Sequence, residues 1–225
     1  ATLEANGHTV NVLDLYALGF RAVMSPDERR AYHAEQPILD PLVAAHAELV
    51  KTSEAFVFVY PTWWSAQPAI LKGWLDRVLV PGVGFGFDDK GKVQPGLRHV
   101  RHLVGISTYG SPRWYVKLVN DNGRRTIMRA LRLSTGFRTR ARWLALYATD
   151  GSSPADRDAF LERVERRVAQ HRVPQPGFPE ARLGEIAAGR RLAARDAGVH
   201  HVGDEVLPVE GLEGLVTGLD YGETA

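Results

Sequence analysis

The sequence predicts an open parallel α/β sheet with helices on both faces. Three observations carry that expectation. Short apolar runs rich in β-branched and aromatic residues alternate with longer segments of helical spacing, which is the order of a parallel sheet with crossover helices. One of those runs, Ala55–Tyr60, is apolar without interruption, as strands covered on both faces are. The helical segments open on a polar cap followed by proline.

In chain order, Thr9–Leu13 reads as the first strand present. Ser25-Pro26-Asp27-Glu28 then starts a helix, with Ser25 as cap, Pro26 in the first turn and Glu28 closing a capping box. Asp40-Pro41 repeats the signal ahead of Leu42, His46, Leu49 and Val50. After the Ala55–Tyr60 strand, Pro68 opens a helix through about Leu79, with Ile70, Leu71, Trp74, Leu75 and Val78 on one stripe. Asp88–Lys92 is a turn, His102–Ser107 and Arg142–Ala148 are strands, and Ser153-Pro154 caps a helix carrying Phe160, Leu161, Val164 and Val168. The character changes after His171: prolines 174, 176 and 179 mark a linker, Arg182–Arg195 has helical amphipathicity, and the remainder is glycine-rich and acidic. The expected division is a domain over 1–170 and a C-terminal extension over 171–225.

Composition narrows the chemistry. The chain has no cysteine, which excludes a disulfide scaffold, a thiolate metal site and a cysteine nucleophile, and fits a cytoplasmic protein. No apolar run approaches the roughly 18 residues of a membrane span. Residues 113–142 hold nine Lys/Arg and one acidic residue, but no nucleic-acid motif lies among them, so Arg124, Arg125, Arg129 and Arg132 read as a helix surface. His99, His102, His200 and His201 complete no metal-ligand pattern, and no metal is expected. Gly82–Phe87 lacks a third glycine at the right spacing and the following helix of a dinucleotide motif. Gly105–Gly110 misses the nucleophile elbow by one position, which removes the main hydrolase signature.

In an open parallel sheet, ligands sit at the carboxyl ends of the strands. Two segments fall there. Pro61-Thr62-Trp63-Trp64-Ser65 follows a strand with two adjacent indoles. Either they stack on a flat ligand or they pack beneath the next helix. Thr108-Tyr109-Gly110-Ser111 follows the next strand with hydroxyls to donate and a glycine that permits close backbone approach, or it is an ordinary turn with a serine cap.

The stretch from Pro61 to Val78, P-x-W-W-x-x-x-P-A-I-L-K-G-W-L-D-R-V, resembles the flavodoxin-like NAD(P)H:quinone oxidoreductases. So do Gly7–Val10, Asp14–Tyr16 and Phe20 upstream and Ser107–Ser111 downstream, and the likeness covers about residues 1–170. The resemblance implies a flavodoxin-like fold and a flavoenzyme that passes hydride from NAD(P)H through FAD or FMN to a quinone or similar acceptor. It implies that Pro61, Thr62, Trp63, Trp64 and Ser65 hold one edge of the flavin ring, and that Thr108, Tyr109, Gly110 and Ser111 meet its pyrimidine side. Tyr115 matches a tyrosine whose hydroxyl lies near the flavin O2. Phe85 and Phe87 match aromatic residues that cover the substrate pocket of the partner subunit in a homodimer. Asp121 stands where the family has a histidine, so no histidine-assisted charge relay carries over. Some relatives are ancillary subunits of potassium-efflux systems, and a regulatory subunit is the alternative function.

The family also begins with a strand and a phosphate-binding loop, whereas this sequence opens inside the helix that follows them. An upstream start is therefore expected. Glu205–Val209 is a poor substitute for that strand, because Pro208 cannot donate in a sheet centre.

Overall fold

The computed structural model describes residues 2–170. The expected C-terminal extension, with its linker, helix and histidine pair, lies outside the described residues. Helix α1 (Thr2–Ala5) is followed by α2 (Pro26–Ala31), α3 (Pro41–Thr52), strand β1 (Ala55–Pro61) and α4 (Ala69–Val78). A hairpin of β2 (Phe85–Phe87) and β3 (Val93–Pro95) leads to β4 (His102–Thr108). Next come α5 (Arg113–Leu118) and a helix that runs through α6 (Asn122–Arg125), a wide π turn (Thr126–Leu131) and α7 (Arg132–Ser134). The described part ends with β5 (Arg140–Leu146) and α8 (Pro154–Ala169).

The three long strands form a parallel sheet in the order β1-β4-β5. On one face, Phe58 and Tyr60 of β1 pack with Val43, Ala47 and Val50 of α3, Trp74 and Val78 of α4, and Ile127 and Leu131 of the π turn. On the other face, Val104 and Ile106 of β4 meet Phe160 and Val164 of α8. The expected helices on both faces are therefore present. Burial of these apolar groups is the main stabilising contribution.

The capping signals act as expected. Ser25 Oγ accepts from the Glu28 N–H at 3.1 Å while the Glu28 carboxylate accepts from the Ser25 N–H at 2.7 Å. Ser153 and Asp156 form the same reciprocal pair on α8. Asp40 caps α3 through the Leu42 N–H at 2.9 Å.

Three expectations change. Thr9–Leu13 is not a strand. A strand exists only as a partner in a ladder, and among the described residues nothing pairs with this segment. The continuous apolar run of β1 is not covered on both faces. Its Val57 and Val59 remain 41% exposed, because α8 covers β4 and β5 instead. The last strand begins and ends two residues earlier than expected. Arg140 N–H already bonds the Arg101 carbonyl at 2.8 Å, and Ala148 is left-handed (φ 54°), which ends the extended run.

A buried charge cluster ties the early segments to α4. The Arg77 side chain is 1% exposed, and its guanidinium bonds Glu28 at 2.6 Å, Asp40 at 2.7 Å and the Arg21 carbonyl at 2.6 Å. Burial alone would push the Glu28 and Asp40 carboxyls up. The hydrogen bonds from backbone and from Arg77 outweigh it and hold both below their ordinary values.

Candidate functional site

The register of the sheet sets the site. Pro61 lies opposite Thr108, and Thr108 opposite Leu146, so the carboxyl ends of β1, β4 and β5 finish level. Their loops therefore lie side by side.

In the first loop, Trp63 and Ala66 exchange both backbone hydrogen bonds, at 3.1 and 2.9 Å, closing a two-residue hairpin with Trp64 and Ser65 at its tip. Both tip residues are left-handed, at φ 51° and 62°. Such a turn ordinarily uses Asn-Gly. Holding larger residues there costs about 1–3 kcal/mol each, a form of strain concentrated at functional sites. The loop is fastened at both ends: Thr62 N–H bonds the Thr108 carbonyl at 2.8 Å, and Gly123 N–H bonds the Ser65 carbonyl at 3.1 Å. Of the two readings for the indoles, packing beneath the helix is excluded. Trp63 is 50% exposed and Trp64 fully so, and the place against β1 belongs to Trp74, edge-on to Phe58.

The second loop is held more deeply. Tyr109 N–H bonds the Leu146 carbonyl at 2.9 Å, and its own carbonyl accepts from Thr149 N–H and Oγ1. The Tyr109 ring is buried, stacks on Tyr147 with centroids 4.8 Å apart, and donates its hydroxyl to Asp121 at 2.9 Å. Burial and then the Asp121 charge push the Tyr109 phenol well above its ordinary range. A side chain at Gly110 would come within 3.2 Å of the Asp150 carboxylate. Beyond Pro112, α5 presents Trp114 and Tyr115, both exposed. Beneath the loops, Ser107 Oγ donates to the Tyr60 carbonyl at 2.8 Å and meets Thr62 Oγ1 at 2.8 Å, which leaves Thr62 as donor in that contact.

Among the described residues, the backbone N–H groups of Trp64, Ser65, Gly110 and Ser111 donate to nothing. The donor set is thus four backbone N–H groups on two level loops, flanked by exposed rings at Trp63, Trp64, Trp114 and Tyr115. It fits a flat heteroaromatic ring with nitrogen and carbonyl acceptors on one edge, as a flavin has.

The structure brings Pro61, Thr62, Trp63, Trp64, Ser65, Thr108, Tyr109, Gly110, Ser111 and Tyr115 together at this end of the sheet. It does not bring Phe85 and Phe87 there. Their hairpin leads into the start of β4 and is tied to the far end of the arginine helix through Leu97 N–H and the Ser134 carbonyl. Arg124, Arg125, Arg129 and Arg132 line a hollow of about 280 Å³ with Met128, Ala141 and Trp143. Asp121 is the residue whose contact the sequence did not announce. It occupies the cap position of α6, yet its carboxylate makes no cap bond and turns to Tyr109.

A family model described as a flavodoxin-like fold matches residues 1–172. The human ribosyldihydronicotinamide dehydrogenase [quinone] is 33% identical over 141 residues, 54% of this chain and 59% of that protein. The chain thus spans little more than half the length of that relative. An NAD(P)H:quinone oxidoreductase from Methanothermobacter marburgensis superposes with a TM-score of 0.64 at 26% identity, covering 75% of this chain and 85% of that one. An azoreductase from Bacillus anthracis, at 15% identity and a TM-score of 0.59, shares the fold.

Proposed function

The chain belongs to the family of flavodoxin-like fold, and from that membership we propose that it is an oxidoreductase moving hydride from NAD(P)H, through bound FAD or FMN, to a quinone or similar acceptor. The observation that carries this reading is the set of four free N–H groups on two level strand-end loops with exposed indoles beside them. When bound, the flavin supplies the two-electron chemistry. The chain's residues bind and orient it. Trp64 and Ser65 N–H on one side and Gly110 and Ser111 N–H on the other are fixed donors for ring acceptors, and fixed donors stabilise charge that develops on reduction. Tyr115 would donate its hydroxyl to the ring carbonyl at O2. Trp63 and Trp64 shield one edge from water. Phe85 and Phe87 act on the site of a partner in a homodimer, a role that their place away from their own chain's loops supports.

The test is a visible spectrum of the purified chain after incubation with FAD or FMN and desalting, followed by stopped-flow mixing with NADPH and NADH and turnover with menadione. A retained flavin band bleached by either nucleotide supports the reading. A colourless chain, or a flavin that neither nucleotide reduces, overturns it. Trp64→Ala sharpens the test. The side chain is fully exposed, so thermal stability stays within about 0.5 kcal/mol of the parent. The lost aromatic contact is worth about 0.5–1.5 kcal/mol, so flavin affinity measured by fluorescence quenching falls about two- to tenfold.

A further inference from the structure

Asp121 is 9% exposed and has a left-handed backbone (φ 45°). One carboxylate oxygen accepts from Tyr109 at 2.9 Å; the other is 4.0 Å from Arg124, a side chain half in solvent. The Asp121 charge also acts on Tyr60 and Tyr147, whose hydroxyls burial already makes reluctant to ionise. The Tyr60 hydroxyl is buried without a partner among the described residues. The Asp121 charge therefore sits beside three neutral phenols, with Arg124 at 4.0 Å and Arg113 acting on Tyr147. It is tied through Tyr109 to the loop that presents the Gly110 and Ser111 donors, where the Asp150 carboxylate also lies. A charge this shielded from water is little screened by salt. Its neighbour Tyr109 is pinned through its backbone to β5 and Thr149, so the charge keeps a fixed place relative to that loop.

Resting on the flavin reading above, we propose that Asp121 is a positioning residue that fixes a negative charge under the second strand-end loop and so makes a flavin held there harder to reduce and a stronger donor to the acceptor. Hydride transfer breaks the nicotinamide C–H bond, forms a ring N–H bond and releases the nicotinamide as a cation. The two electrons and one proton leave the ring with one extra negative charge until water supplies a second proton. A fixed carboxylate nearby opposes that added charge.

The experiment compares the parent with Asp121→Asn and Tyr109→Phe, each loaded with FMN or FAD. The midpoint potential is read against a reference dye during slow enzymatic reduction. Asp121→Asn keeps an acceptor for Tyr109 and removes the charge, so the potential moves to more positive values. Tyr109→Phe removes the hydrogen bond that spreads the charge, so the potential moves to more negative values. Opposite signs are the expected result, because a loosened loop would move both variants the same way. An unchanged potential in Asp121→Asn, or shifts of one sign in both variants, overturns the inference and leaves the flavin reading standing. A parent that neither retains flavin nor quenches added lumiflavin overturns the flavin reading, and this inference with it.

Discussion

Replacing Arg77 by methionine is expected to destabilise the protein by about 3 kcal/mol at neutral pH, because it strands the buried Glu28 carboxylate and leaves the half-buried Asp40 without its partner. Arg77 satisfies Glu28, Asp40 and the Arg21 carbonyl at once, and its guanidinium lies 5.1 Å from the centroid of the Phe20 ring. Methionine fills much of the volume but offers no donor. The sign of the pH dependence follows from the carboxyls. In the parent both are held below their ordinary values of 4.5 and 3.8. The unfolded chain thus binds more protons in that range. The stabilisation is complete above about pH 4.5 and is lost as pH falls through the folded values. In Arg77→Met the bonds from Ser25 to Glu28 and from Leu42 to Asp40 remain, but those from Arg77 are gone, so burial weighs more and both carboxyls move towards the protonated form. The gap between parent and variant is therefore largest at pH 7 and narrows towards pH 4. Urea unfolding at the two pH values measures it. A gap that stays constant between them would contradict the ion-pair account.

Gly73→Ala is the second large effect, and its sign opposes helix propensity. In the interior of an exposed helix, alanine improves on glycine by about 0.5–1 kcal/mol. Here a β-carbon on Gly73 would lie 2.1 Å from the Ala22 carbonyl oxygen and 2.5 Å from its α-carbon. These are backbone atoms, so no side chain can rotate away. The segment around Ala22 must lift from α4, taking with it the buried Phe20 and the Arg21 carbonyl that Arg77 uses. The expected cost is on the order of 3 kcal/mol. Thermal unfolding decides between the two arguments: a lowered midpoint supports the close crossing, and a raised one means that propensity wins.

Both effects depend on contacts the sequence could not display, and the reason is distance along the chain. The parts that were legible are local. Ser25 and Glu28 are three residues apart, and so are Ser153 and Asp156, so their reciprocal caps can be read directly. The run His102–Ser107 announces a strand, and β4 follows, buried from His102 to Ser107. Thr9–Leu13 has a strand's composition, but pairing decides strandhood and composition does not contain it. The Arg77 cluster joins positions 21, 28, 40 and 77, and only the packing of α2, α3 and α4 makes them neighbours. At the candidate site, the double indole marked a strand-end loop and left its orientation open. The Trp63–Ala66 bridge, a property of backbone shape, turns the rings outward. Asp121 read as a departure from a family pattern. Its bond to Tyr109 spans twelve residues and requires a left-handed turn that its sequence neighbours do not advertise.

Those left-handed residues bear on attempts to improve the protein. Trp64 and Ser65 on one segment and Asn120 and Asp121 on the other are non-glycine residues in a conformation that favours glycine, and Gly123 N–H on the Ser65 carbonyl joins the two segments. The remainder of the fold offsets that strain. A library selected only for heat resistance would find easy gains at Trp64 and Ser65, where glycine relieves the backbone without removing a side-chain hydrogen bond among the described residues, whereas at Asp121 it would strand the buried Tyr109 hydroxyl. It would return sturdier molecules with a slacker loop pair, trading the donors' fixed aim for a higher melting point. Selection for thermal robustness should therefore leave residues 64, 65, 120 and 121 untouched and draw on the helix surfaces instead.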